Sequence, residues 1–164
     1  MKKLIVLRGN SGSGKTTVAK ALQKYFGRNT MVISQDVIRR DMLMVKDGED
    51  TEAIPLIKEL LKYGSIHSDI VILEGIMLAD WYRTVFELAV QLYNTEIYAY
   101  YFDLPFEETL KRHQTKPNHR EFGEEEMRRW WREKDFLDII EENVLGEDLS
   151  LEEAVEMIYH EVMN

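Results

Sequence analysis

Apolar residues in this chain fall into short unbroken runs alternating with stretches in which they recur three and four positions apart. Unbroken runs at 3–7, 30–34, 70–73 and 97–102 predict strands buried on both faces, as in a parallel sheet. A shorter run at 143–145 predicts a fifth. Helical spacing predicts a helix that carries Val18, Leu22, Tyr25 and Phe26 and stops at Gly27. Further helices are expected at about 36–44, 52–63 and 80–93. In the second of these Ile54, Ile57 and Leu61 share one face, and Pro55 sits in the first turn, where proline is tolerated. Asp103 is expected to cap a helix running to 113, with Pro105 in its first turn. A helix over 124–136 opens on three glutamates, which the helix dipole favours. The last, through 162, opens on the capping box Ser150-Leu151-Glu152-Glu153. Residues 114–123 show no period and predict a loop. Strands alternating with helices imply a parallel sheet of about five strands covered on both faces, a three-layer α/β/α arrangement.

The chemistry of this pattern is concentrated where the first strand meets its helix. There stands Gly9-Asn10-Ser11-Gly12-Ser13-Gly14-Lys15-Thr16, with the spacing G-x-x-x-x-G-K-[ST] of a P-loop, in the strand–loop–helix context that the motif needs. Glycines at these positions admit backbone angles that a Cβ forbids, and they let main-chain N–H groups close on phosphate oxygens. The helix that follows adds its unpaired N–H groups and the positive end of its dipole. Lys15 is expected to reach the β- and γ-phosphates of ATP, and the Thr16 hydroxyl to ligate Mg²⁺. Thr17 is grouped with the nucleotide-binding stretch, with an ordinary first-turn residue as the plainer alternative.

Ligands of such sheets lie at the carboxyl ends of the strands. Two further groups are expected there. Asp36 and Arg39 follow the second strand as D-x-x-R: a carboxylate near an acceptor hydroxyl can take its proton, and a cation can hold the substrate's charge. A plain cap for Asp36 and a surface place for Arg39 are the alternatives, and Arg40 reads as a surface residue. Glu74 ends the third strand, where it can serve a metal-bound water or the substrate hydroxyl, with a structural carboxylate bonded to nearby backbone amides as the alternative. A basic loop with Arg112, Lys116 and Arg120 suits closure over a nucleotide, with a guanidinium brought to the transferring phosphoryl group. His113 and His119 read as surface histidines. Of the adjacent Trp130 and Trp131, one is expected in the core and the other free to line an acceptor pocket.

Composition narrows the class. The chain has 164 residues, no cysteine and a net charge of −9. One domain over 1–164 is expected, with a lid at about 112–125. No apolar run is long enough to span a bilayer, and no leader is apparent, so a cytoplasmic protein without membrane contact is the expectation. The acidic balance disfavours, without excluding, a nucleic-acid partner. Residues 111–134 carry eight Lys/Arg against five Asp/Glu, so a local basic segment sits on an acidic chain. That suits a small anionic ligand better than a long polyanion.

On G-N-S-G-S-G-K-T, the D-x-x-R of Asp36 and Arg39, the strand ending at Glu74-Gly75 and the basic stretch with Arg112 and Arg120, the chain resembles small P-loop kinases. These are the group of zeta toxins, chloramphenicol phosphotransferase and phage polynucleotide 5′-hydroxyl kinase. The resemblance implies a nucleoside-kinase-like P-loop NTPase fold and transfer of the γ-phosphoryl group of ATP to a small acceptor. It further implies Asp36 as base, Arg39 on the substrate, and Arg112 and Arg120 on ATP phosphates. Nucleoside, nucleotide and polynucleotide kinases are the nearest alternatives. An ATPase or regulatory module without an acceptor is the alternative of another class; N-K-x-D and D-x-x-G, the motifs of a GTPase switch, are not in the chain.

Overall fold

The computed structural model describes residues 2–115 and 122–164. Its centre is a five-stranded sheet: β1 (Lys3–Gly9), β2 (Thr30–Ser34), β3 (Ile70–Gly75), β4 (Ile97–Phe102) and β5 (Glu142–Leu145). The spatial order is β2-β3-β1-β4-β5, and every neighbouring pair is parallel. The expected strands are all present; the central β1, β3 and β4 are mostly buried, while the edge strands β2 and β5 are only partly so. Leu4, Ile5, Val6 and Leu7 are all fully buried, and burial of each such side chain contributes roughly 1.5–3 kcal/mol.

Alternation along β1 divides the core in two. Ile5 and Leu7 pack with α1 (Lys15–Phe26) and the C-terminal helix Leu151–Met163, while Leu4 and Val6 pack against the helices Ala53–His67 and Arg83–Tyr93. This is the α/β/α sandwich of a P-loop NTPase. Among the described residues no helix is long and apolar enough to cross a membrane.

Four departures from the expected elements bear on the site. The helix after β2 is capped by Ser34, whose hydroxyl accepts from Val37 N at 3.4 Å, so Asp36 stands in the first turn rather than at the cap. Only α2 (Gln35–Val37) is α-helical; Ile38–Leu43 winds as a wider π-helix that ends at Met44 with φ 55°. Asp103 is likewise no cap. It pairs with Lys134, and the helix Phe106–His113 takes Pro105 as its N-cap. The helix expected over 124–136 spans only Glu124–Trp130.

Tyr25 is mostly exposed and stands over the ring of Tyr159 instead of entering the core.

Among the described residues, Arg8, near the end of β1, is one of the largest side chains that the fold buries almost completely. Its guanidinium donates twice to Met77 O (2.8 and 3.0 Å), to both oxygens of Glu142 (3.0 Å each) and to Asp135 Oδ2 (2.7 Å). It thereby ties β1 to β5, to the β3 exit and to the segment after Trp130, directly beneath the P-loop.

Candidate functional site

The loop from Gly9 to Gly14 has the shape that its glycines dictate. Gly12 and Gly14 take φ values of 80° and 100°. A Cβ on Gly12 would lie 2.4 Å from Thr109 O, and one on Gly14 would lie 2.5 Å from Leu151 Cδ2. At Gly12 both the conformation and the backbone that crowds it require glycine, while at Gly14 the left-handed conformation does, since the end of the Leu151 side chain can shift. Lys15 Nζ donates to Asn10 O at 2.8 Å and to Ser13 Oγ at 3.1 Å, which holds the ammonium within the loop. Thr16 Oγ1 donates to Glu74 Oε2 at 3.1 Å. The register pairs Leu7 with Glu74, so this buried carboxylate emerges at the sheet edge beside the loop. Thr17 lies exposed on α1.

Asn10 turns its side chain away from this cradle. Its Nδ2 donates to Arg132 O at 2.6 Å, and its Oδ1 accepts from Arg132 N at 2.8 Å. This fork holds the segment after Trp130 out of the helix expected there.

A cavity of about 470 Å³ opens beside Lys15 and Thr16. Asp36, Arg39 and Arg40 line it too. Asp36 Oδ1 accepts from Arg39 Nη2 at 3.1 Å and lies 2.8 Å from Arg40 Nε. Arg40, expected at the surface, is partly exposed and also lines the cavity. Within the same wall Gln35 Nε2 donates to Tyr82 Oη at 2.9 Å, and Tyr82 Oη donates to Asp47 Oδ1 at 2.7 Å. Burial, then the neighbouring Asp47 carboxylate, pushes the Tyr82 hydroxyl well above its ordinary value, so it remains a donor.

The third wall comes from the helix Glu124–Trp130 and the segment after it. Arg129, Trp130 and Arg132 face the cavity, with Trp81 contributed from beyond β3. Phe122 stacks on the ring of His113 at 4.4 Å, and Trp130 lies 5.1 Å from Phe122. His113 is buried, with Nε2 at 2.9 Å from Phe122 O, rather than a surface residue. Neither Trp130 nor Trp131 is in the core. Trp131 stands edge-on to Phe106 outside the cavity, and the core position on this helix is taken by Met127.

Arg112 reaches the loop from outside: Nη1 donates to Ser13 O at 2.8 Å, and Nε pairs with Glu108 at 3.0 Å. Lys116, His119 and Arg120 lie outside the described residues. Hard oxygen donors suit Mg²⁺, and Thr16 and Glu74 supply such a pair. Among the described residues no cluster of three or more His, Asp or Glu stands ready to hold a metal by protein ligands alone.

A family model described as an AAA domain matches residues 4–135, four-fifths of the chain. The chain belongs to this AAA-domain family. The match begins in β1, contains the P-loop and ends just beyond the Arg132 clamp, so it holds nearly the whole site. Comparison with curated proteins finds no significant match. Among solved structures, a gluconokinase from Sinorhizobium meliloti 1021 is similar with a TM-score of 0.68 and 17% identity, over 98% of this chain and 91% of its own. The APS kinase CysC of Mycobacterium tuberculosis, in complex with AMPPNP and APS, gives 0.67 and 16%, over 99% and 98%. The tunicamycin resistance protein of Deinococcus radiodurans gives 0.65 and 16%, over 99% and 96%. At such identities the likeness is one of fold.

Within this AAA domain, Gln35, Asp47, Tyr82, Arg129 and Arg132 are cavity or supporting residues that carry no motif. Arg129 and Arg132 belong to the basic segment visible in the charge pattern. Tyr82 and Asp47 are separated by 35 positions, and no spacing joins them.

Proposed function

We propose that the protein is an ATP-dependent phosphotransferase that moves the γ-phosphoryl group of ATP to a hydroxyl or phosphate of a small metabolite. The observation that carries this reading is one cavity lined both by Lys15 and Thr16 and by the Asp36–Arg39 pair. A nucleotide switch needs only the first pair; the second gives a place for an acceptor. Kinases among the structures of similar fold support the reading, one of them with AMPPNP and APS bound.

In this account the loop N–H groups and Lys15 bind the phosphates and hold the γ-phosphoryl group toward the cavity. Mg²⁺ held at Thr16, with Glu74 beside it, would neutralise charge on the phosphate oxygens. Glu74 serves the metal side in preference to the substrate, because its partner is the Thr16 hydroxyl. Asp36 orients the acceptor hydroxyl and takes its proton, while Arg39 fixes the Asp36 carboxylate and faces the substrate. Arg112, anchored on Ser13 O, brings positive charge to the phosphate loop. On its basic sequence, the stretch at about 112–125 is proposed as the lid of a single domain, and Arg120, which lies outside the described residues, as the guanidinium for the transferring group. Trp81, Trp130 and Phe122 give the acceptor's carbon frame an apolar wall.

The test is a transfer screen with γ-labelled ATP and Mg²⁺ over sugars, sugar acids, nucleosides, nucleotides and nucleic-acid ends. Label in a small-molecule product supports the reading. Label released only as inorganic phosphate under every acceptor contradicts it.

A further inference from the structure

The lining of the cavity is strongly and unevenly charged. Apart from Lys15, which belongs to the phosphate loop, the cations lining it among the described residues are Arg39, Arg40, Lys46, Arg129 and Arg132. Apart from Glu74, which partners Thr16, the carboxylates there are Asp36 and Asp47. Five cations thus face two anions among the described residues, inside a chain whose net charge is −9.

The pairing within this group leaves capacity unused. Arg39 and Arg40 share a single oxygen, Asp36 Oδ1. Asp47 Oδ1 is already committed to Tyr82 Oη and to Gly48 N. Nε of Arg39 and Nε of Arg40 are shielded from solvent and have no hydrogen-bond partner among the described residues. For Arg40 the nearby Asp36 oxygen is off the line of a hydrogen bond. Buried guanidinium donors are costly to leave unmatched, and their planar fork suits the paired oxygens of a carboxylate or phosphate.

We infer that the acceptor carries an acid group of its own, a phosphate or a carboxylate, seated against Arg39 and Arg40 with Lys46 beside them. This inference rests on the proposed phosphotransfer reading and names the substrate class of the same site. The acid group binds at the Arg39–Arg40 end, and the hydroxyl that receives the phosphoryl group points back toward Asp36 and Lys15. Arg129 and Arg132 also line the cavity and offset the charge of an acceptor brought close to ATP, where two anions otherwise repel.

Matched pairs of acceptors test this on the full chain: uridine against uridine 5′-monophosphate, glucose against glucose 6-phosphate, and glucose against gluconate. Binding is measured by calorimetry with a non-hydrolysable ATP analogue and Mg²⁺ occupying the P-loop, and transfer is measured separately with γ-labelled ATP. The expected result is that in at least one pair the acidic member binds about 10- to 100-fold more tightly, the range for hydrogen bonds to charged groups. Arg40→Gln and, independently, Lys46→Gln should erode that preference; both side chains lie at the cavity rim, outside the hydrophobic core. A phosphate pair and a carboxylate pair distinguish the two acid groups. Equal binding within every pair, absence of binding by every acidic member, or a preference that survives both substitutions overturns the inference. Transfer to neutral acceptors without acid preference sinks this inference and leaves the phosphotransferase standing. Acid-selective binding without any transfer from ATP does the reverse.

Discussion

The side-chain amide of Asn10 and the backbone of Arg132 exchange two hydrogen bonds, at 2.6 and 2.8 Å, across 122 positions of sequence. The second residue of the phosphate loop thus fixes the strand of chain that carries Arg132 and comes after Trp130. Asn10→Ala leaves the Arg132 N–H and C=O without these partners, at a cost of about 1–3 kcal/mol. Urea unfolding should show the lower midpoint. In steady-state kinetics KM for the acceptor should rise more than KM for ATP, because the wall that moves faces the acceptor.

Glu74 makes its cavity-side bond to Thr16, so its removal should be felt through the metal. Glu74→Gln keeps the volume and one hydrogen bond but loses the charge. Titration of activity with Mg²⁺ at fixed ATP should show the half-saturating concentration raised by roughly 10- to 100-fold, as for other residues that support a metal's direct ligands. An unchanged Mg²⁺ dependence with a raised acceptor KM would assign Glu74 to the substrate.

Arg8 is a structural counterpart to the site above it. Its removal leaves Glu142, whose side chain is 1% exposed, and Asp135 as adjoining carboxylates without their cation. Arg8→Met should therefore cost about 3–5 kcal/mol in urea unfolding. Arg8→Lys should recover little, because an ammonium cannot reproduce a fork that reaches Met77, Asp135 and Glu142 together.

The buried tyrosines give stability an alkaline limit. Burial raises Tyr82, Tyr100 and Tyr101 above the ordinary value of 10.0 and pushes Tyr93 up to about 12. Above pH 10 the unfolded chain releases these protons while the folded chain keeps them, so stability is intact below pH 10 and falls as pH rises through the folded values. Denaturant unfolding between pH 8 and 11 should show this loss, and Tyr93→Phe should make the slope shallower.

The sheet was legible because its evidence is local: a run such as Leu4 to Leu7 is apolar whether or not its neighbours are known, and the P-loop needs only eight consecutive residues. Helix ends were less legible where a distant partner decides them. The helix over 124–136 has helical spacing throughout, yet the Asn10 fork takes the backbone of Arg132, and Lys134 turns to φ 45°. Asp103 has the chemistry of a cap, but Lys134 claims its carboxylate. The π-helical turn at Ile38–Leu43 leaves no mark in apolar spacing, whereas Arg39 and Arg40 meet Asp36 at the ordinary helical spacings of three and four. The Arg8 clamp joins partners 127 and 134 positions away, beyond the reach of any motif.

The central claim is that one cavity joins a phosphoryl donor to an acceptor activated by Asp36. Its most direct test is the single-turnover rate of phosphoryl transfer by Asp36→Asn at saturating ATP and Mg²⁺, with ATP affinity measured alongside. ATP binding should be unchanged and the transfer rate lower by about 10²–10⁴-fold, the contribution of a positioned proton acceptor. A transfer rate equal to that of the unmodified protein would contradict it.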